Sequence, residues 1–202
     1  MRVVKKLDWY REHGYGPRLP AAEVVEACIR AIASDAEGGV CASWERKVYE
    51  PGVFDAPLRA LEAEKPIIEA GTEKLRRLAE TWSFYLPDAI EILVTRYGVG
   101  GSYRRQEGQV LLRISEDGGL KTPAVKAIHE IVHIGVEQSI VEAHALPHDE
   151  KEAVVDGIIV AHVFPDYAVQ DRSNADLVKI VKRNVLGNLP EIVGEWKKSH
   201  LD

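Results

Sequence analysis

Apolar positions recur with helical spacing over Ala21–Ala36, where Val24, Val25, Cys28, Ile29 and Ile32 share one side. Gly38-Gly39 ends that run, and Val40–Pro57 reads as an irregular or short-strand connection. A second helical stretch covers about Leu58 to Tyr85, with breaks expected near Pro66 and Gly71. After Pro87-Asp88 the period changes to two: Ile90, Ile92 and Val94 alternate with Glu91, Leu93 and Thr95, as in a strand. Gly98–Gly101 reads as a turn. Val110–Ser115 reads as a second strand with Val110, Leu112 and Ile114 on one face, closed by Gly118-Gly119.

Helical spacing returns at Thr122, which is placed to cap, with Pro123 at the first helical position and the run reaching about Ala145. Pro147 stops it. Another helix is expected from about Asp149 to Phe164, before Pro165, and a last one over Ala175–Ser199, interrupted by Gly187 and Pro190. Helices, a short sheet and then helices predict the α+β class. At 202 residues the chain fits a single domain. Its expected parts are a helix-rich region over 1–85, a core over 86–165 and a helical segment over 166–202.

Composition narrows the function classes. A formal net charge of −6 argues against a nucleic-acid partner. No apolar run is long enough for a membrane span, and the first residues, Met1–Asp8, carry no apolar signal segment. Two cysteines, Cys28 and Cys41, make no disulfide framework. The expected location is cytoplasmic, and the oligomeric state is left open.

The chemistry concentrates in His129-Glu130-Ile131-Val132-His133. Two histidines four apart on a helix lie about 5–6 Å from each other on one face and can share one ion. Glu130 is rotated from His129 by about 100°, close enough to reach a water on the metal without ligating it. Val125, Ile128, Val132 and Val136 form an apolar arc beside the pair, so the pair sits at the edge of the buried face. The competing reading is a His and a Glu met by chance on an amphipathic helix.

Such a site needs a third protein ligand. Glu137 is two turns, about 12 Å, from His129 and cannot serve. A third histidine at the metzincin spacing is absent, since Ser139 holds that position. Glu152 and Asp156 share a face of the next helix, and Asp156 sits in the apolar run Ala153–Ala161. A carboxylate there is costly unless paired, and a liganding imidazole is a suitable partner. That makes Glu152 the ligand and Asp156 its support. A capping box with Asp149 as N-cap and Glu152 at the third helical position competes with this reading. Glu142, Glu150, His144 and His148 are the remaining alternatives.

His129-Glu130-x-x-His133, followed nineteen residues later by Glu152-Ala-Val-Val-Asp156, resembles the gluzincin zinc metallopeptidases, including the thermolysin-like enzymes and the minigluzincins. The resemblance covers roughly 89–164. It implies a zincin-like fold with a small sheet, an active-site helix and a glutamate helix, to which this chain adds N-terminal helices. It also implies Zn2+ held by His129, His133 and Glu152, with Glu130 as catalytic base and Asp156 in support. It further implies a peptide or protein substrate, and a strand, here Val110–Ser115, that rims the cleft and takes up an extended peptide by strand addition. The residue before the glutamate ligand, often Asn in that group, is Lys151. Tyr167 and His162 are the candidates for stabilising an oxyanion. The alternative function is a zinc-binding structural or regulatory protein without peptidase activity. A di-iron carboxylate site is disfavoured, because Glu130-x-x-His133 has no second copy elsewhere in the chain.

Overall fold

Ten regular elements follow one another in the computed structural model, which describes residues 7–12, 15–33, 50–170, 174–184 and 187–200. Helices α1 (Leu7–Glu12), α2 (Ala22–Ala33) and α3 (Asp55–Trp82) come first, then strands β1 (Glu91–Thr95), β2 (Gly101–Arg104) and β3 (Gln109–Arg113). Helices α4 (Pro123–Val136), α5 (His148–Ile158), α6 (Ala175–Arg183) and α7 (Leu189–Ser199) complete the set. The class is α+β, as expected. Helix α1 and strand β2 carry too few apolar residues to show a period, and the sequence pattern did not reveal them. Gly38-Gly39 and most of the Val40–Pro57 connection lie outside the described residues. No described helix is long and apolar enough to cross a membrane.

The sheet order is β1-β3-β2. Glu91 N–H donates to the Gly108 carbonyl and Ile114 N–H to that of Thr95, both at 2.9 Å, so β1 and β3 run parallel. Strand β2 joins β3 through a one-turn hairpin connection. Val110, Leu112 and Ile114 are fully buried, which bears out their shared face. The expectation that this strand takes up a peptide by strand addition is corrected. β3 is the central strand, both its edges are already bonded, and β1 and β2 are the edges.

The chain divides into two compact units, one of Met1–Glu62, Leu93–Ser102 and Leu111–Lys121, the other of Ala63–Ile92, Tyr103–Val110 and Thr122–Asp202. In the first, α2 buries Val24, Cys28 and Ala31, and Arg18 pairs with Gly98 through two backbone hydrogen bonds of 2.8 and 2.9 Å. The second unit contains every candidate site residue. Its core is built from Ile68, Leu75 and Trp82 of α3, Ile128, Ile131 and Val132 of α4, and Val154, Val155 and Ile158 of α5.

Helix α3 does not break at Pro66 or Gly71. Pro66 is exposed, so its ring projects from the outer face of the helix and the helix runs through it. Gly71 serves packing instead: a Cβ there would stand 2.7 Å from Ile128 Cδ1 and 3.1 Å from Val163 Cγ1. The missing side chain lets α3 approach α4 closely. Thr122 also departs from expectation. It adopts a left-handed conformation with φ of 46° and makes no side-chain cap. The Ala124 N–H is satisfied from 60 positions away, by the Glu64 carboxylate of α3 at 2.7 Å.

Helix α4 passes into a π-helical turn over Glu137–Glu142, and α5 into another over Ile159–Val163. A Cβ on Gly135 of α4 would overlap the Phe84 ring, which is 4% exposed and stacked on Trp82 at 5.8 Å. Gly135→Ala is therefore expected to destabilise the protein by about 1–3 kcal/mol through overpacking, against the roughly 1 kcal/mol of helix propensity it gains. Thermal melts would test this, and a midpoint at or above wild type would show that the ring yields.

Candidate metal centre

One turn of α4 and the first half of α5 supply three groups that could hold a metal ion. His129 and His133 stand on one face of α4, and their Nε2 atoms lie 3.0 Å apart. Glu152 reaches across from α5, with Oε2 3.2 Å from His129 Nε2 and Oε1 3.3 Å from His133 Nε2. All three ligand atoms fall within 4.8 Å of one another, the one such group among the described residues. A tetrahedral zinc ion with bonds near 2.0–2.1 Å needs donors separated by roughly 3.3 Å. The donor set and its spacing fit zinc.

The capping reading of Glu152 does not survive. Helix α5 starts at His148 with Pro147 in the cap position, so Asp149 lies inside the helix and Glu152 beyond its first turn. Among the other ligand alternatives, Glu150 is paired with Lys197 at 2.7 and 2.9 Å, and Glu142 lies 3.8 Å from Arg105. His144 packs beside Gly194. Glu137 stays outside the ligand group, as helix geometry requires. Only His148 comes near, with Nδ1 3.6 Å from Glu152 Oε1.

Asp156 is fully buried behind His129. Its Oδ1 is 3.9 Å from His129 Nδ1, beyond hydrogen-bond range, while Oδ2 accepts from the Gln170 N–H at 2.9 Å. The Gln170 side chain also donates to Glu152 Oε2 at 2.9 Å, so one loop residue holds both Glu152 and Asp156. Tyr167 lies on the same side, its hydroxyl 3.5 Å from His129 Nδ1. That is the ring nitrogen turned away from Glu152 and His133. His162 is elsewhere, packed edge-on against Trp82 at 5.0 Å. Neither placement suits an oxyanion donor.

Electrostatics sort the groups into roles. Burial would lower the pKa of His129, but the Glu152 hydrogen bond and the charges of Glu130, Glu152 and Asp156 outweigh it and raise the value. Burial also opposes ionisation of Glu152, and the two imidazoles overcome that and hold it well below the carboxylate range. His133 is pushed down to about 4, first by burial and further by the charge of His129, and so stays neutral. Glu130 is 8% exposed, and burial pushes its carboxyl up to about 7. A carboxylate that titrates near neutrality can both take and return a proton.

Sequence reasoning missed two neighbours. Gln170 lies in a loop without periodicity, and nothing local marks it. Tyr103 sits on the unforeseen strand β2, and its ring stacks on His133 at 5.3 Å with an interplanar angle of 10°. Its hydroxyl donates to Glu137 and accepts from Lys151 Nζ at 3.0 Å.

Comparison with protein-family models, with curated proteins and with solved structures finds no match.

Proposed function

We propose that the chain is a zinc-dependent metallopeptidase of the gluzincin type, with the zincin-like arrangement of an active-site helix, α4, and a glutamate helix, α5. The observation that carries this reading is the pairing of two features. His129, His133 and Glu152 offer three ligand atoms within 4.8 Å, and Glu130, next along the helix, is a buried carboxyl that titrates near 7. His129, His133 and Glu152 would hold the metal. A zinc ion held there would supply Lewis-acid chemistry, polarising a peptide carbonyl and lowering the pKa of water toward neutrality. Glu130 accepts the proton of the attacking water and delivers it to the leaving amine. Gln170 fixes the Glu152 carboxylate, and Asp156 supports His129 through its charge. Lys151, at 3.0 Å from the Tyr103 hydroxyl, places a cation beside this cluster, and its charge acts on both Glu130 and His133.

The test is metal analysis of the purified protein followed by a peptide-library digest with and without chelator. One zinc per chain and chelator-sensitive cleavage are expected. Stoichiometric zinc without cleavage would favour the second reading, a structural or regulatory zinc protein. His148 favours that alternative, since its Nδ1 lies 3.6 Å from Glu152 Oε1 and a fourth imidazole or carboxylate ligand there would close the site. A cobalt-substituted protein with four protein ligands and no exchangeable water would decide for it.

Protons compete with the metal for the imidazoles. Because the His129 pKa is raised above 6.5, zinc affinity is expected to be full at alkaline pH and to fall on acidification, beginning above pH 6.5. Titration calorimetry in buffers of different ionisation enthalpy should record proton release at neutral pH. Equal heats in all buffers would contradict a protonated His129 in the metal-free protein.

A further inference from the structure

The two imidazoles are held differently. His129 has Tyr167 and Asp156 near its Nδ1, at 3.5 and 3.9 Å. His133 is 3% exposed, and its Nδ1 is buried without a hydrogen-bond partner. Liganding imidazoles almost always donate from their second nitrogen to a carboxylate, carbonyl or water, which fixes the ring plane. For His133 that fixing must come from elsewhere, and a ring lies against its face. Tyr103 is nearly parallel to the imidazole, 10° between planes at 5.3 Å. The tyrosine is itself tied at its far end. Its hydroxyl bridges the Glu137 carboxylate and the Lys151 ammonium, which also pair directly at 3.6 Å. Glu137 follows α4 at the start of the π-helical turn, and Lys151 immediately precedes Glu152 on α5. The tie therefore joins the two helices that carry the ligands.

We propose that Tyr103 is the positioning residue of His133: its ring, anchored at the hydroxyl by Glu137 and Lys151, sets the imidazole plane in place of the missing Nδ1 hydrogen bond. This rests on the reading of His129, His133 and Glu152 as a metal centre. Tyr103 touches a ligand and not the reacting atoms, so its substitution acts first on metal affinity and ligand geometry.

The experiment measures zinc affinity by chelator competition, the cobalt(II) ligand-field spectrum and the melting temperature of the metal-free protein. It compares the wild type with Tyr103→Leu, Tyr103→Phe and Glu137→Ala. Tyr103→Leu is expected to weaken zinc binding about 10–100-fold, the usual cost of losing an outer-sphere support, and to alter the cobalt spectrum. Tyr103→Phe keeps the ring and should recover most of that loss, while Glu137→Ala should fall between. A purely structural tyrosine would lower the melting temperature and leave the spectrum unchanged, and that result overturns the proposal. If Tyr103→Leu fails to fold, Glu137→Ala carries the test, and wild-type affinity in that variant overturns it equally. A wild-type chain that takes up no zinc overturns the metal-centre reading itself, and the role of Tyr103 with it.

Discussion

Replacing Glu130 by Gln is expected to cut peptide hydrolysis about 10²–10⁴-fold, the contribution typical of a positioned general base, with zinc content unchanged. The two outcomes separate because Glu130 is not one of the three clustered ligand groups. Its side chain is nearly isosteric with Gln, so the packing around a residue 8% exposed is retained. What is lost is a titrating carboxyl near 7, raised there chiefly by burial. The amide cannot take the proton of the attacking water at any pH. Chelator-sensitive turnover by Glu130→Gln at the wild-type rate would remove Glu130 from the mechanism. Loss of zinc in the same variant would instead move it into the ligand set.

The second large effect concerns metal retention. Zinc bound by four groups in small domains gains about 10–16 kcal/mol at neutral pH, or roughly 3–4 kcal/mol per ligand. Glu152→Ala removes one of the three proposed ligands, so zinc affinity should fall by about 10²–10³. The carboxylate is also the partner of both imidazoles, at 3.2 and 3.3 Å, and the leading influence that raises His129. The His129 pKa in metal-free Glu152→Ala should therefore drop relative to wild type, as read from imidazole proton shifts. A variant that binds zinc with undiminished affinity would show that Glu152 is not a ligand. An unchanged His129 titration would further show that the two side chains do not interact in solution.

The parts of this site that a sequence displays are those written in helical spacing. His129 and His133 are one turn apart, as are Glu152 and Asp156, and both pairs face where their spacing directs. Asp156 stood out because a carboxylate in an apolar run requires a partner, and it accepts a hydrogen bond from the Gln170 N–H while His129 lies 3.9 Å away. Gln170 and Tyr103 left no comparable trace. One is in a loop, and the other is on a strand whose four residues, Gly101-Ser-Tyr-Arg104, do not alternate. The same limit explains the misread helix signals. Gly71 looked like a breaker when read alone and is a packing notch once Ile128 stands opposite it. Thr122 looked like a cap, yet the group that caps α4 comes from Glu64, far along the chain. Local chemistry is legible where the partner is within a turn, and tertiary partners are not.

The chain closure between the two ligand helices is short. His133 and Glu152 are separated by 19 positions, whereas Glu64 and Ala124 meet across 60. On a logarithmic dependence of closure entropy on loop length, the shorter closure costs about 1 kcal/mol less. The proposed metal ligands can thus be brought together more cheaply than Glu64 and the helix start it caps. The three ligands, Glu130, Asp156 and Gln170 all fall within residues 129–170, so the entropy of assembling the centre is largely that of one continuous segment. Tyr103 is the exception among these residues: its contacts with His133, Glu137 and Lys151 join β2 to that segment across a longer loop.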